Sequence, residues 1–115
     1  MQRRMARHDL AIRMIVADPR RIGLENAVFS AGDLIFWDGI RMVKRPDALI
    51  YTRDNTIHLV EYKLNDSPER KSRALSQLTE SSDILSQFYH GEIRLHYAHE
   101  DFNVEEAGYI SRSPI

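Results

Sequence analysis

Pro46-Asp47-Ala48-Leu49-Ile50-Tyr51-Thr52-Arg53-Asp54-Asn55-Thr56-Ile57-His58-Leu59-Val60-Glu61-Tyr62-Lys63 is the stretch whose reading decides the fold. Two apolar, β-prone runs flank Arg53-Asp54-Asn55. That loop suits a three-residue hairpin, a type I turn followed by Asn in the left-handed region. It pairs Thr52 with Thr56 and Tyr51 with Ile57, and so sets Asp47 opposite Glu61. Side chains alternate along a strand, so Ile57, Leu59, Glu61 and Lys63 point one way and His58, Val60 and Tyr62 the other. Both sets contain apolar residues, which predicts a central strand covered on both faces. Glu61 and Lys63 then lie about 6.6 Å apart at Cα, at the end of a buried strand. Directly opposed residues have Cβ atoms about 5 Å apart. Two carboxylates at that distance repel by roughly 3 kcal/mol at an effective dielectric near 20. Lys63 offsets part of this repulsion, and a divalent cation would offset all of it.

Outward from the hairpin, Ser67 or Asp66 can cap a long helix, with Pro68 in its first turn and Glu69 at the positive end of its dipole. Ala74, Leu78, Leu85 and Phe88 share one face of it, Gln77 lies at the edge of that face, and Gly91 is the expected stop. Ile93 to Ala98 reads as a last strand, followed by a polar tail over 99–115. On the other side, 9–30 reads as helical, with Leu10, Met14 and Ile15 on one face and a break at Pro19. The second piece carries Ile22, Glu25, Val28 and Phe29 on one face, which points Glu25 towards the sheet. Leu34 to Trp37 is the next strand, Asp38-Gly39 a tight turn, and Ile40 to Val43 a short return strand. The expected architecture is one α/β domain over 1–115, with its core at about 20–98 and one mixed sheet flanked by helices.

The 115 residues fit one domain. With 43% hydrophobic and 29% charged residues, disorder along the whole chain is not expected. The absence of Cys excludes disulfides, a cysteine nucleophile and thiolate zinc sites. No apolar run approaches the roughly 20 residues of a membrane span. With no signal peptide read at the start, a soluble, cytoplasmic protein is the expectation. The net charge of -1 hides basic stretches at 1–22 and 41–73 and an acidic one at 92–106. Such patches permit contact with a phosphate backbone, although solvated surface is the commoner use of them. No glycine-rich phosphate loop or nucleophile elbow is present. His96 and His99 lack a third metal ligand nearby in sequence. Phe36 and Trp37 suit a core or dimer contact better than a base-stacking platform.

Pro46-Asp47, thirteen intervening residues and Glu61-Tyr62-Lys63 together resemble the PD-(D/E)xK nuclease superfamily. That family has a restriction-endonuclease-like core of helix, three strands, helix and strand. Members commonly add a Glu on the first helix and a Gln on the helix after the motif lysine, places that Glu25 and Gln77 fill here. The small size is most similar to archaeal Holliday-junction-resolvase-like endonucleases. The resemblance implies a metal-dependent nuclease acting on DNA. Asp47, Glu61 and the Tyr62 carbonyl would bind Mg²⁺ or Mn²⁺, and the metal would lower the pKa of a bound water. Lys63 would orient that water or stabilise the transition state. Glu25 would hold a second metal or a metal-bound water, and Gln77 would orient its neighbours. Arg70, Lys71 and Arg73 would meet phosphates. So small a core implies a homodimer or a larger nuclease assembly. The alternative is a catalytically inactive nucleic-acid- or protein-binding module on the same fold. Without any function, Asp47, Glu61 and Lys63 would be a salt-bridge triad with a poor charge balance.

Overall fold

The structure, a computed structural model, describes residues 2–37, 42–43 and 46–110. Helix α1 (Gln2–Ala17) leads into a 3₁₀ turn (Pro19–Ile22), then β1 (Ala27–Gly32), β2 (Phe36–Trp37), β3 (Met42–Val43), β4 (Ala48–Thr52) and β5 (Thr56–Lys63). Helix α2 (Pro68–Leu85), β6 (Glu92–His99), a second 3₁₀ turn (Glu100–Phe102) and β7 (Asn103–Ile110) follow. Five strands form one mixed sheet in the order β1-β4-β5-β6-β7, while β2 and β3 pair by themselves. Among the described strands only β5 and β6 run parallel, joined through α2. The fold is therefore mixed α/β, and no described helix is long and apolar enough to cross a membrane.

The hairpin folds as its loop predicts. Asn55 adopts φ +67° and its N–H donates to the Thr52 carbonyl at 3.1 Å. Thr52 pairs with Thr56 and Ala48 with Val60, so Asp47 arrives beside Glu61. β5 is buried along its length up to Tyr62 and has β4 and β6 as neighbours. On one face, Ala48, Ile50, Val60, Tyr62 and Ala98 pack against Ala11, Ile12 and Ile15 of α1. On the other, Leu49, Ile57, Leu59, Ile93 and Leu95 pack with Leu78 of α2. Two opposed helices thus bury both faces of a central strand, the arrangement that a doubly apolar strand requires.

Up to Trp37, the described residues follow the periodicity reading only in part: helix before Pro19, but none after it. α1 begins at Gln2, and its buried stripe is Ala11, Ile12 and Ile15, with Leu10 exposed. Pro19 ends it, since proline lacks the N–H that a continuing turn needs. Asp18 caps the 3₁₀ turn through the Arg20 N–H, and Gly23 at φ +80° closes it. There is no second α-helical piece, because residues 27–32 form β1 on the sheet edge. Val28 and Phe29 had mimicked a helix face but lie exposed on that strand.

Ser67 caps α2 by accepting the Arg70 N–H, with Pro68 in the first turn. The helix ends at Leu85, before Gly91, and leaves Phe88 exposed in the turn beyond. The expected strand at Leu34 to Trp37 shrinks to β2. The Asp38-Gly39 turn and the start of the return strand lie outside the described residues, as do the Phe36 and Trp37 side chains. The polar tail continues the fold: residues 103–110 form β7, antiparallel to β6, and 111–115 lie outside the description.

Candidate active site

The start of β4 and the ends of β5 and β6 meet at one end of the sheet. Asp47 and Glu61 are locked to each other's backbone there. The Tyr62 N–H donates to Asp47 Oδ2 at 2.8 Å, and the Asp47 N–H donates to Glu61 Oε1 at 3.2 Å. The two carboxyls therefore occupy fixed places on adjacent strands. Glu61 is almost wholly buried, at 3% exposure, while Asp47 is partly open. Burial above all, and then the Asp47 carboxylate, push the Glu61 carboxyl up to about 8, with Lys63 opposing. Burial outweighs the Lys63 ammonium beside it.

Lys63 follows on the same face. Its Nζ lies 4.0 Å from Glu61 Oε2 and donates to Gln77 Oε1 at 3.3 Å. Gln77 reaches it from α2, whose packing against β5 fixes the approach. Asp47, Glu61, Lys63 and Gln77 are thus brought together.

Glu25 is not brought there. β1 runs antiparallel to β4, with Ala27 beside Thr52 and Gly32 beside Ala48. The loop before β1 therefore lies at the opposite end of the sheet. Glu25 is exposed in that loop, on a cleft it shares with Asn26, His58, Arg94, His96 and Glu106. A helical spacing over residues that form a loop and a strand misplaced it.

His8 of α1, which sequence reasoning missed, stands at the acidic pair instead. Its Nε2 donates to the Tyr62 carbonyl at 2.9 Å and lies 3.4 Å from Asp47 Oδ2. The hydrogen bond to Asp47 chiefly raises His8 to about 9, so it carries a proton at neutral pH. His8 and Asp47 open on a cleft of about 530 Å³, bordered also by Arg13 and Asp33. The contact spans 54 residues, and no local pattern encodes it. Its one trace in the sequence is a histidine near the buried stripe of a helix.

The basic run divides. Lys71 Nζ is held by Glu105 Oε1 at 2.6 Å, while Arg70 and Arg73 border a surface recess at the start of α2. The chain matches no protein-family model and no curated protein.

A second group of ligand-type side chains lies one strand over. Asp66, His99 and Glu105 each place one ligand atom within 4.8 Å of the others, a set that could hold a metal ion. His99 thus does find partners, but they come from the β5–α2 loop and from β7, which sequence spacing did not bring to it. His96 takes no part, being hydrogen-bonded to His58 at 2.8 Å.

Proposed function

We propose that this chain is a metal-dependent nuclease of PD-(D/E)xK type that hydrolyses DNA phosphodiester bonds. One observation carries the reading: Asp47 and Glu61 are fixed side by side by strand register, with Lys63 two residues on and bound to Gln77. The order of α1, β1, β4, β5, α2 and β6 supports a restriction-endonuclease-like core.

The donor set suits a hard divalent cation, Mg²⁺ or Mn²⁺. Asp47 Oδ2 and the Tyr62 carbonyl already converge on one point, the protonated His8 nitrogen. Glu61 beside them is a carboxyl that burial and Asp47 hold protonated, so a cation there would let it ionise. Asp47, Glu61 and the Tyr62 carbonyl would hold the ion, and His8 rather than Glu25 is the fourth group at hand. Such an ion would supply Lewis-acid stabilisation of phosphoryl charge and a nucleophilic water at neutral pH. Lys63 presents its ammonium beside the acidic pair, where it orients the attacking water or stabilises transition-state charge. Gln77 is a positioning residue that holds that ammonium in place. Arg70 and Arg73 would meet the DNA backbone, whereas Lys71 is engaged by Glu105. The nuclease would work as a homodimer or in a larger assembly, which light scattering at working concentration measures.

One observation favours a second reading, a non-catalytic binding module. His8 already sits on two of the expected ligand atoms and supplies positive charge without a metal. Cleavage of a labelled panel of linear duplex, single strand, flap, four-way junction and RNA in Mg²⁺ or Mn²⁺ separates the two. The nuclease reading expects cleavage that EDTA abolishes and Lys63→Ala lowers by about 10²–10³-fold. No cleavage of any member, with no Mg²⁺ or Mn²⁺ bound by calorimetry, selects the binding module.

A further inference from the structure

We propose that Asp66, His99 and Glu105 form a binding site for one transition-metal ion of the Zn²⁺ class, separate from the Asp47–Glu61 pair. Three elements build it: the loop between β5 and α2, distant in sequence, and the last residue of β6 with the neighbouring β7. The second 3₁₀ turn folds β7 back along β6, which sets Glu105 beside Tyr97, two residues before His99.

How each carboxylate is held gives the site its character. Tyr97, itself fully buried, donates its hydroxyl to Asp66 Oδ1 at 2.7 Å. Lys71 donates to Glu105 Oε1 at 2.6 Å. Each carboxylate thus has one oxygen fixed by a donor, and its other oxygen faces the same imidazole nitrogen. Asp66 Oδ2 lies 3.9 Å and Glu105 Oε2 3.8 Å from His99 Nε2. Both gaps exceed the roughly 2.7–3.2 Å of a hydrogen bond. They match two ligands reaching one ion, since metal–ligand bonds of about 2.0–2.2 Å span up to about 4 Å. A carboxylate with one oxygen held by a neighbouring donor and the other left for the ion is a recurrent feature of metal sites. His99 Nδ1 is buried with no hydrogen-bond partner among the described residues, so no other hydrogen bond fixes the ring.

The donor chemistry selects the ion. One imidazole nitrogen with two carboxylate oxygens suits Zn²⁺, or Mn²⁺ with added waters. Mg²⁺ prefers an all-oxygen octahedral shell and keeps its waters, so it is disfavoured here. The two carboxylate charges match those of the ion. This site does not depend on the nuclease reading, although His99 is the register partner of Lys63.

Calorimetric titration with ZnCl₂ and with MgCl₂ tests the proposal. The double variant Asp47→Asn/Glu61→Gln removes the acidic pair and is expected still to bind one Zn²⁺. Adding His99→Ala is expected to abolish that event, and adding Glu105→Gln, at a more exposed position, to weaken it at least about 10-fold. Circular dichroism checks that each variant folds, and Glu105→Gln decides the matter if His99→Ala does not. MgCl₂ should give no such event in the double variant. The proposal is overturned if the double variant binds no Zn²⁺. It is overturned equally if His99→Ala and Glu105→Gln leave Zn²⁺ affinity unchanged, which would place the ion on other histidines. Zn²⁺ binding at this site with no DNA cleavage by the wild-type chain would sink the nuclease reading alone.

Discussion

The two ends of the five-stranded sheet bury polar groups in opposite ways. At the end where β4 begins and β5 finishes, two carboxyls and two basic side chains meet without full pairing. Glu61 is pushed up to about 8 and His8 raised to about 9. At the far end, His58 and His96 stack with ring centroids 5.0 Å apart and share a 2.8 Å hydrogen bond. Thr52 gives its hydroxyl proton to Asp54, so it accepts from His58 Nε2 at 3.2 Å, which leaves His58 Nδ1 to accept from His96. That chain runs from donor to acceptor with both rings neutral. Burial lowers His58 and takes His96 down to about 4. The neutral chain is the ordinary way to bury polar groups, since each finds a partner. Opposed carboxyls are not: here Glu61 holds a proton and His8 gains one to relieve them. The charged end is therefore the better candidate for chemistry, although the histidine end borders a cleft of about 500 Å³.

Function offers the largest test of this contrast. Asp47→Ala should abolish metal-dependent cleavage, and Lys63→Ala should lower it by about 10²–10³-fold, the scale of losing one charge-stabilising donor. His96→Gln should leave cleavage unchanged in the same gel assay. A result the other way round would break the comparison. Next in size, Gln77→Ala should cost about 10–100-fold in cleavage or metal affinity, because it frees the Lys63 ammonium without removing it.

The pH dependence of metal-free stability should separate the ends by sign. Folded Glu61 keeps its proton to about 8 against an ordinary 4.5, so the folded state binds more protons in that window and stability falls as pH rises through it. The His8 contribution is complete below 6.5 and lost as pH rises to about 9. His96 acts oppositely: the unfolded chain takes up its proton first, so stability falls as pH drops from 6.5 towards about 4. Thermal melts from pH 4 to 9 should show Glu61→Gln flattening the alkaline limb and His96→Gln the acid limb. Glu61→Gln should also raise the metal-free melting temperature at pH 9, where the wild-type carboxyl is ionised. A lower melting temperature there would sink the picture of opposed carboxyls. The smallest effect is expected at Arg94, paired with Glu92 and Glu106 near the histidine end. Arg94→Ala should cost about 0.2–1 kcal/mol in chemical denaturation.

The hairpin was legible because its information is local: alternation fixes the faces and Asn55 fixes the loop. Asp47, Glu61, Lys63 and Gln77 could be placed for the same reason, being carried by one hairpin and one well-capped helix. Glu25 failed because a strand with Val28 and Phe29 exposed on a sheet edge need not bury the face its spacing suggests. β7 was missed because an edge strand bearing Glu105 and Glu106 shows no apolar alternation. His8 and the Asp66–His99–Glu105 set depend on contacts across the chain, which only the folded sheet supplies.

The three-residue loop at Arg53-Asp54-Asn55 has a consequence for how the chain tolerates change. It sits about 20 Å from Asp47, with the five residues of β4 between them. Yet it sets the register of the strands that carry Asp47 and Glu61. A one-residue slip of β5 against β4 would turn Glu61 to the opposite face of the sheet from Asp47. Surface loops usually accept insertions freely. In this one, length matters as much to the acidic pair as the identity of either acid.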